Sequence, residues 1–387
     1  MNKLRWHCPL PPAGTAIATF NLQLIPFLKE TFSDFELWTY QNEVQALSGF
    51  EDVIVKRYRK DNFEINDNYI DVYHIGNNTD FHSDIFAHAK ISPGYIILHD
   101  ICLLNFVMGY YHKSDGSGVH ELYEIIEKRH GQKAKQDFVD FFCSRVDMQF
   151  LYDHYLLTEE VVSYGKGIIV HSPHAIQILK DMGFDNVFYI PLAFNTSSVP
   201  KTVEKDNSRI NIVFLGYIHA NRRVLEFLDC LGNFKNKSKF EINIFGSFYD
   251  RPALEENLKK NKLVKQVHFR GEVNDTELGA ELDKAHIGVN LRYPTMHEVS
   301  ASQLYFFKHA LPVISTNIGW YTSLPDSVTI KINMEKECPE IHETLQRLIE
   351  EPEYFHKMGI DAQKYFLDNH LPQNYVRKLA DVLRAKG

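Results

Sequence analysis

Short apolar runs alternate along the chain with longer stretches in which apolar residues recur every three or four positions. The runs predict buried strands and the longer stretches predict amphipathic helices. Alternation of the two from end to end is the mark of parallel sheets with crossover helices, which makes the fold class α/β. In the first half, strands are expected at 4–8, 35–40, 70–75, 95–99, 167–171 and 187–191. A Pro/Gly loop at 9–14 is followed by a helix over 15–31. Between 103 and 160 the pattern is helical and rich in aromatics, with a Ser/Gly loop at 114–118, so this stretch reads as a helical insertion on the first sheet.

After Pro191 the character changes. Residues 195–209 carry Thr, Ser, Pro, Lys, Glu and Asp with little apolar content, as a linker does. A second strand–helix series follows, with strands expected at 210–216, 240–246, 267–271, 287–292 and 312–316 and a helix start at 275–278. From 339 onward the pattern is helical, broken at Pro352 and Pro372. Two doubly wound, Rossmann-like domains are therefore expected, 1–195 and 196–387, the last helix packing back toward the first. Such sheets bind ligands beyond the carboxyl ends of their strands, so the expected site is an interdomain cleft lined by residues that follow strands.

The chain has 387 residues, 42 Lys plus Arg and 50 Asp plus Glu, a formal net charge of −8. Residues 1–195 hold about 16 basic and 25 acidic side chains, and the remainder is close to neutral. The balance argues against a nucleic-acid partner, which calls for a basic surface. It offers no cationic patch for anionic lipid, so membrane association is expected to be peripheral at most. The run Lys56-Arg57-Tyr58-Arg59-Lys60 reads as a solvated face. Five scattered cysteines without a C-x-x-C pair fit reduced thiols in the cytoplasm and build no zinc site. No signal peptide opens the sequence, and no apolar stretch is long enough to span a bilayer.

The residues Asn290-Leu291-Arg292-Tyr293-Pro294-Thr295-Met296-His297-Glu298-Val299-Ser300 precede a helix-length segment and then Leu311-Pro312-Val313-Ile314-Ser315-Thr316. Upstream lies Val267-His268-Phe269-Arg270-Gly271-Glu272-Val273, and the first half holds Val170-His171-Ser172 and Ile190-Pro191-Leu192. This ordered set resembles the GT-B glycosyltransferases, most of all the retaining family-4 type, over nearly all of residues 160–320. The resemblance implies transfer of a sugar from a nucleotide-diphosphate donor to a hydroxyl of a glycan or glycolipid, with retention of configuration and without a metal or other cofactor. Polysaccharide or glycoconjugate biosynthesis is the implied setting.

Within that frame the candidate residues follow. Glu298 is a fixed acceptor for sugar hydroxyls, and the N–H groups at Ala301 and Ser302 open a helix whose N-terminus favours a diphosphate. The resemblance places a basic side chain after the Gly216 turn, where Arg222 fits best with Arg223 beside it. A guanidinium grips phosphate oxygens in pairs and neutralises charge as the glycosidic bond breaks. The resemblance also implies nucleoside contacts at Gly271 and Val273. In the first half, Gly14 allows close approach of backbone to a ligand. His99, at a strand end, is the position at which the family places a histidine beside the reacting sugar; His7 is a lesser candidate. The chain departs from the family pattern in three ways. Tyr217 stands where many members have arginine, Tyr305 and Phe306 where a second acid holds the ribose, and Ala310 where glycine is usual. Two other activities fit the same architecture, a nucleotide-sugar 2-epimerase and a non-catalytic nucleotide- or glycan-binding subunit.

Overall fold

A computed structural model describes residues 3–41, 53–58, 68–113, 116–194, 200, 208–295 and 297–385. These residues form two compact units. The first runs to Ala193 and includes the short segment 297–299 and the terminal helix Pro372–Arg384; the second comprises residues 194–295 and 300–371. Most of the expected linker, Arg59 and Lys60 of the basic run, and Ser114 and Asp115 of the Ser/Gly loop lie outside the described residues.

The first unit is built on a parallel sheet of β1 (Lys3–His7), β2 (Asp34–Thr39), β3 (Ile54–Arg57), β4 (Ile70–Ile75), β5 (Tyr95–Leu98), β6 (Gly167–Val170) and β7 (Val187–Tyr189). Their spatial order is β3-β2-β1-β4-β5-β6-β7. Leu4 and Trp6 of β1 are buried on one face and Arg5 and His7 on the other, as expected of a sheet covered on both sides. The buried charge of Arg5 is matched by Glu36 at 3.3 Å, whose other oxygen takes Lys56 Nζ at 2.6 Å. Helices Leu104–His112, Val119–Phe142, Met148–His154 and Thr158–Val162 fill the stretch read as a helical insertion. The terminal helix turns Tyr375, Val376, Leu379 and Leu383 into the same core as Leu24, Ile25 and Leu28 of helix Ala16–Thr31.

The second unit repeats the plan with β8 (Ile210–Leu215), β9 (Phe240–Phe245), β10 (Val267–Gly271), β11 (Ile287–Asn290), β12 (Val313–Thr316) and β13 (Thr329–Ile332). All are parallel, in the order β10-β9-β8-β11-β12-β13. In each sheet the order reverses beside the first strand, between β1 and β4 and between β8 and β11. Those reversals are where open α/β sheets leave a crevice for ligands.

The structure corrects three details of the sequence reading. The basic run is not simply a solvated face: Ile54–Arg57 is an edge strand, and Tyr58 hydrogen-bonds the buried His7 at 2.8 Å. A second edge strand, Thr329–Ile332, escapes a hydrophobicity reading because it is four residues long and carries Lys331. The strand expected over 287–292 stops at Asn290, where the chain leaves the sheet. Among the described residues no helix is long and apolar enough to cross a membrane.

Ala310, where the family pattern has glycine, adopts φ 52°. The left-handed conformation strains an L-residue by roughly 1–2 kcal/mol, which explains the glycine usual at this point. Ala310→Gly is expected to raise the stability of the second unit by about 1 kcal/mol, read from the urea midpoint.

Candidate functional site

Three neighbouring strands of the second unit end in glycines held at positive φ: Gly216 after β8 (115°), Gly246 after β9 (104°) and Gly271 closing β10 (70°). The turns are laced together, Gly216 N–H donating to Phe245 O at 3.0 Å and Gly246 N–H to Gly271 O at 2.7 Å. A Cβ at Gly216 would stand 3.1 Å from both Arg222 Nη2 and Ser302 Oγ. The missing side chain at 216 thus lets a guanidinium and a hydroxyl close on the backbone at the switch point. Ser302 Oγ donates to Leu215 O at 3.0 Å, which fixes the start of helix Ala301–Lys308 against the end of β8.

Arg222 lies in the 3-10 turn Ala220–Arg222, just before the helix Val224–Asn233. Its Nη1 donates to Asn290 Oδ1 at 2.8 Å. The amide nitrogen of Asn290 in turn reaches Ser300 Oγ (3.0 Å), Gln303 Oε1 (2.9 Å) and Tyr321 Oη (3.2 Å). Ser300 caps the helix by accepting Gln303 N–H at 3.3 Å, and Gln303 continues the network to Ser315 and Thr329. Asn290, Gln303 and Ser315 are buried, so a polar interior joins β11, β12, β13 and the helix start to a single arginine.

Arg223 is placed differently. It has φ 53°, and its guanidinium forms a two-pronged pair with Glu337, Nε to Oε1 at 2.7 Å and Nη2 to Oε2 at 2.6 Å, with Glu226 at 3.2 Å. The Glu337 hydrogen bonds push its pKa up, and the pair ties the turn to helix Glu337–Glu350. Of the two arginines, Arg222 is the one gathered at the glycine turn. Ala301 is exposed on the first helical turn, and Gly271 and Val273 are half-buried at the end of β10. Tyr217 is 60% exposed and begins a ring ladder through His219 to Tyr249. Phe306 packs its ring under Gly288 in the core and Tyr305 stacks on His309, so neither offers a ribose contact of the acidic kind.

In the first unit, His99 follows β5, its N–H donating to Ile75 O at 2.9 Å. Its Nε2 lies 2.9 Å from His74 Nδ1, and its ring centroid is 5.1 Å from that of His171 and 5.2 Å from Phe20. Burial drives the pKa of His74 and His99 well below the ordinary value and that of His82 and His171 to about 4. All four are neutral at pH 7. Glu298 is half-buried in segment 297–299; burial and, more weakly, the charges of Asp100 and Glu298 raise the Cys102 thiol to about 11. Beside it, His297 Nδ1 is 3.1 Å from His174 Nε2. Gly14 is exposed in the loop after β1, and a Cβ there would meet nothing within 4 Å, so sterics do not require glycine. His7, the last residue of β1, is fully buried between Asp71 (2.9 Å) and Tyr58.

Asn290, Gln303 and His74 went unread in the sequence. Asn290 heads the motif quoted above, yet nothing in a strand-end asparagine announces that it holds an arginine sixty-eight positions earlier. Among the described residues no group of three or more His, Cys, Asp or Glu could hold a metal ion.

No protein-family model and no curated protein matches the sequence. Solved structures do. Anabaena HepE in complex with UDP aligns over 100% of both chains at TM-score 0.64 and 12% identity. A sucrose-phosphate synthase from Thermosynechococcus elongatus aligns over 99% of this chain and 98% of its own at TM-score 0.65 and 10% identity. WaaG, a glycosyltransferase involved in lipopolysaccharide biosynthesis, aligns over 98% and 99% at TM-score 0.60 and 13% identity. The fold is that of the GT-B glycosyltransferases.

Replacing Asn290 by Leu removes a hydrogen bond from Arg222, Ser300, Gln303 and Tyr321 at once. The variant is expected to lose about 3 kcal/mol of unfolding free energy in urea. The neutral histidines set an acid limit. Their folded pKa values lie below the unfolded value of 6.5, so the unfolded chain binds protons first as pH falls. Their stabilisation is intact above about pH 6.5 and is lost on descending to about 4, each contributing a slope of up to about 1.4 kcal/mol per pH unit. Urea midpoints taken from pH 7.5 to 4.5 should fall through that window; a flat profile would count against a neutral buried cluster.

Proposed function

We propose that this chain is a glycosyltransferase that moves a sugar from a nucleotide-diphosphate donor to a hydroxyl of a glycan or glycolipid. The observation that carries the reading is the convergence of Gly216, Arg222 and Ser302 at the β8/β11 switch point, beside the start of helix Ala301–Lys308. A left-handed glycine turn, a fixed guanidinium and a helix N-terminus are the three devices by which backbone and side chain hold a diphosphate. Support also comes from the fold neighbours, since HepE has been solved with UDP and with UDP and glucose.

In this reading Arg222, Ser302 and Ala301 bind the diphosphate, Gly271 and Val273 border the nucleoside, and Glu298 accepts hydrogen bonds from sugar hydroxyls. Arg223 supports the turn through Glu337, and Gly14 borders the acceptor. His99, held neutral by burial, donates to a hydroxyl of the sugar or the acceptor. As the glycosidic bond breaks, negative charge grows on the departing diphosphate, where a preorganised guanidinium stabilises it more than in the ground state. The leaving diphosphate takes the acceptor's proton and attack comes from the same face, so configuration is retained. Arg222 supplies the compensating charge and no metal is required. The setting is the cytoplasm, with at most peripheral contact to the membrane, and the product enters a polysaccharide or glycoconjugate.

A panel of UDP-, GDP- and dTDP-sugars should contain one that raises the melting temperature, because a ligand selective for the folded state stabilises it. Addition of an acceptor glycan should then release nucleoside diphosphate, and a chelator should not stop it. Arg222→Ala and Glu298→Ala should each cut transfer by roughly 10²–10³-fold in a chain that still folds. Wild-type turnover in both variants defeats the assignment, and donor isomerised without acceptor would mark an epimerase instead.

A further inference from the structure

Four histidines gather at the carboxyl edge of β4, β5 and β6, and their hydrogen bonds constrain one another. His82 Nδ1 lies 2.9 Å from His74 O and His171 Nδ1 lies 2.9 Å from Ile190 O. A carbonyl only accepts, so both rings carry their proton on Nδ1. Between His74 Nδ1 and His99 Nε2, 2.9 Å apart, one nitrogen must donate and the other accept. If His99 donated, the neutral His74 would carry its single proton on Nε2. That atom is buried with no hydrogen-bonding partner among the described residues, and the ring is packed edge-on to Trp6 at 4.4 Å between centroids. A buried N–H without an acceptor is strongly disfavoured, whereas a bare ring nitrogen against an indole is tolerated. If both rings were protonated, a charge would sit in the interior unpaired, which burial forbids here.

We propose that His74 is a positioning residue: its Nδ1–H donates to His99 Nε2, so that His99 keeps its proton on Nδ1 and meets its ligand as a neutral hydrogen-bond donor. The consequence is a restriction. With Nε2 occupied, His99 has no free lone pair, so it cannot serve as a general base; it can only donate, to an oxygen acceptor such as a sugar or acceptor hydroxyl. The tautomer assignment stands on these contacts alone, and only its effect on transfer rests on the glycosyltransferase reading. A second shell that fixes which ring nitrogen bears the proton is how histidine roles are set in general.

The test uses the full chain labelled with nitrogen-15 in its histidines, with ring nitrogens observed through their long-range proton couplings at pH 7.5. His99→Gln and His74→Phe supply the assignments. In the wild type, His99 should show a protonated Nδ1 and an unprotonated Nε2. His74→Phe removes the donor and should shift His99 toward the Nε2–H form. His74→Asn keeps an N–H close to the position of Nδ1 and should restore the original pattern. Transfer should fall roughly tenfold in the Phe variant, in kcat with the KM for the donor little changed, and recover in the Asn variant. An Nε2–H tautomer at His99 in the wild type overturns the proposal, and so does an unchanged tautomer in a folded His74→Phe protein. The wild-type spectrum decides even if that variant fails to fold. A confirmed tautomer with undiminished transfer in His74→Phe leaves the relay standing and removes His99 from the reaction.

Discussion

Every described strand pairing in this protein is parallel, and that single constraint places everything else. A parallel strand hands the chain on only through a crossover, so all strands of a sheet release it at the same edge. Backbone groups at that edge lose their ladder partners together, and the chain must turn sharply several times in a small space. The second unit solves this with glycines at 216, 246 and 271, laced by N–H to carbonyl bonds from one turn to the next. A Cβ at Gly246 would stand 2.1 Å from Gly216 O, so these turns are packed to backbone contact. The site candidates are the residues that such packing leaves at the rim.

Polar groups inside both units follow from the same geometry. The first turns of helices and the last residues of strands meet at the edge, and their unpaired donors and acceptors need partners. Asn290 serves one side of that need and the histidine cluster the other. Asn290 is almost fully buried yet touches an arginine, a serine, a glutamine and a tyrosine, so its amide joins helix cap, sheet end and cation in one unit. A buried amide does this without the desolvation penalty of a buried carboxylate. Arg223, by comparison, is paired with Glu337 and Glu226 and holds the turn to the helix that follows β13.

The two-sheet plan was legible because strands buried on both faces read as continuous apolar runs. The interior strand at 70–75 and the edge strand at 267–271 are read to the residue, whereas the edge strands at 54–57 and 329–332 are missed. Those two are four residues long and carry lysine, so their sequences look like loops. Arg222 was named because the resemblance puts a basic side chain after the Gly216 turn, and Ser302 because a helix opens after the Glu298 loop; the structure places both beside Gly216. Asn290 and His74 were not reachable in that way. Their roles depend on which distant side chain they meet, and separations of 68 and 25 positions leave no local pattern.

The departures from the family pattern also acquire physical meaning. Ala310 keeps the left-handed backbone of the glycine it replaces, which means the turn is dictated by its surroundings and not by the residue. Gly359 supplies part of that pressure, since a Cβ there would stand 2.1 Å from Ala310 O. Phe306 exchanges a polar contact for core packing beneath Gly288, and Tyr217 places an aromatic ring on the surface where a cation is usual. None of the three belongs to the Gly216–Arg222–Ser302 convergence or to the Asn290 network behind it. The changes therefore leave the Gly216–Arg222–Ser302 convergence and the hydrogen bonds of Asn290 in place. Such support holds together because each of its buried polar groups has a partner, and a half-satisfied polar network in a core costs more stability than an apolar one.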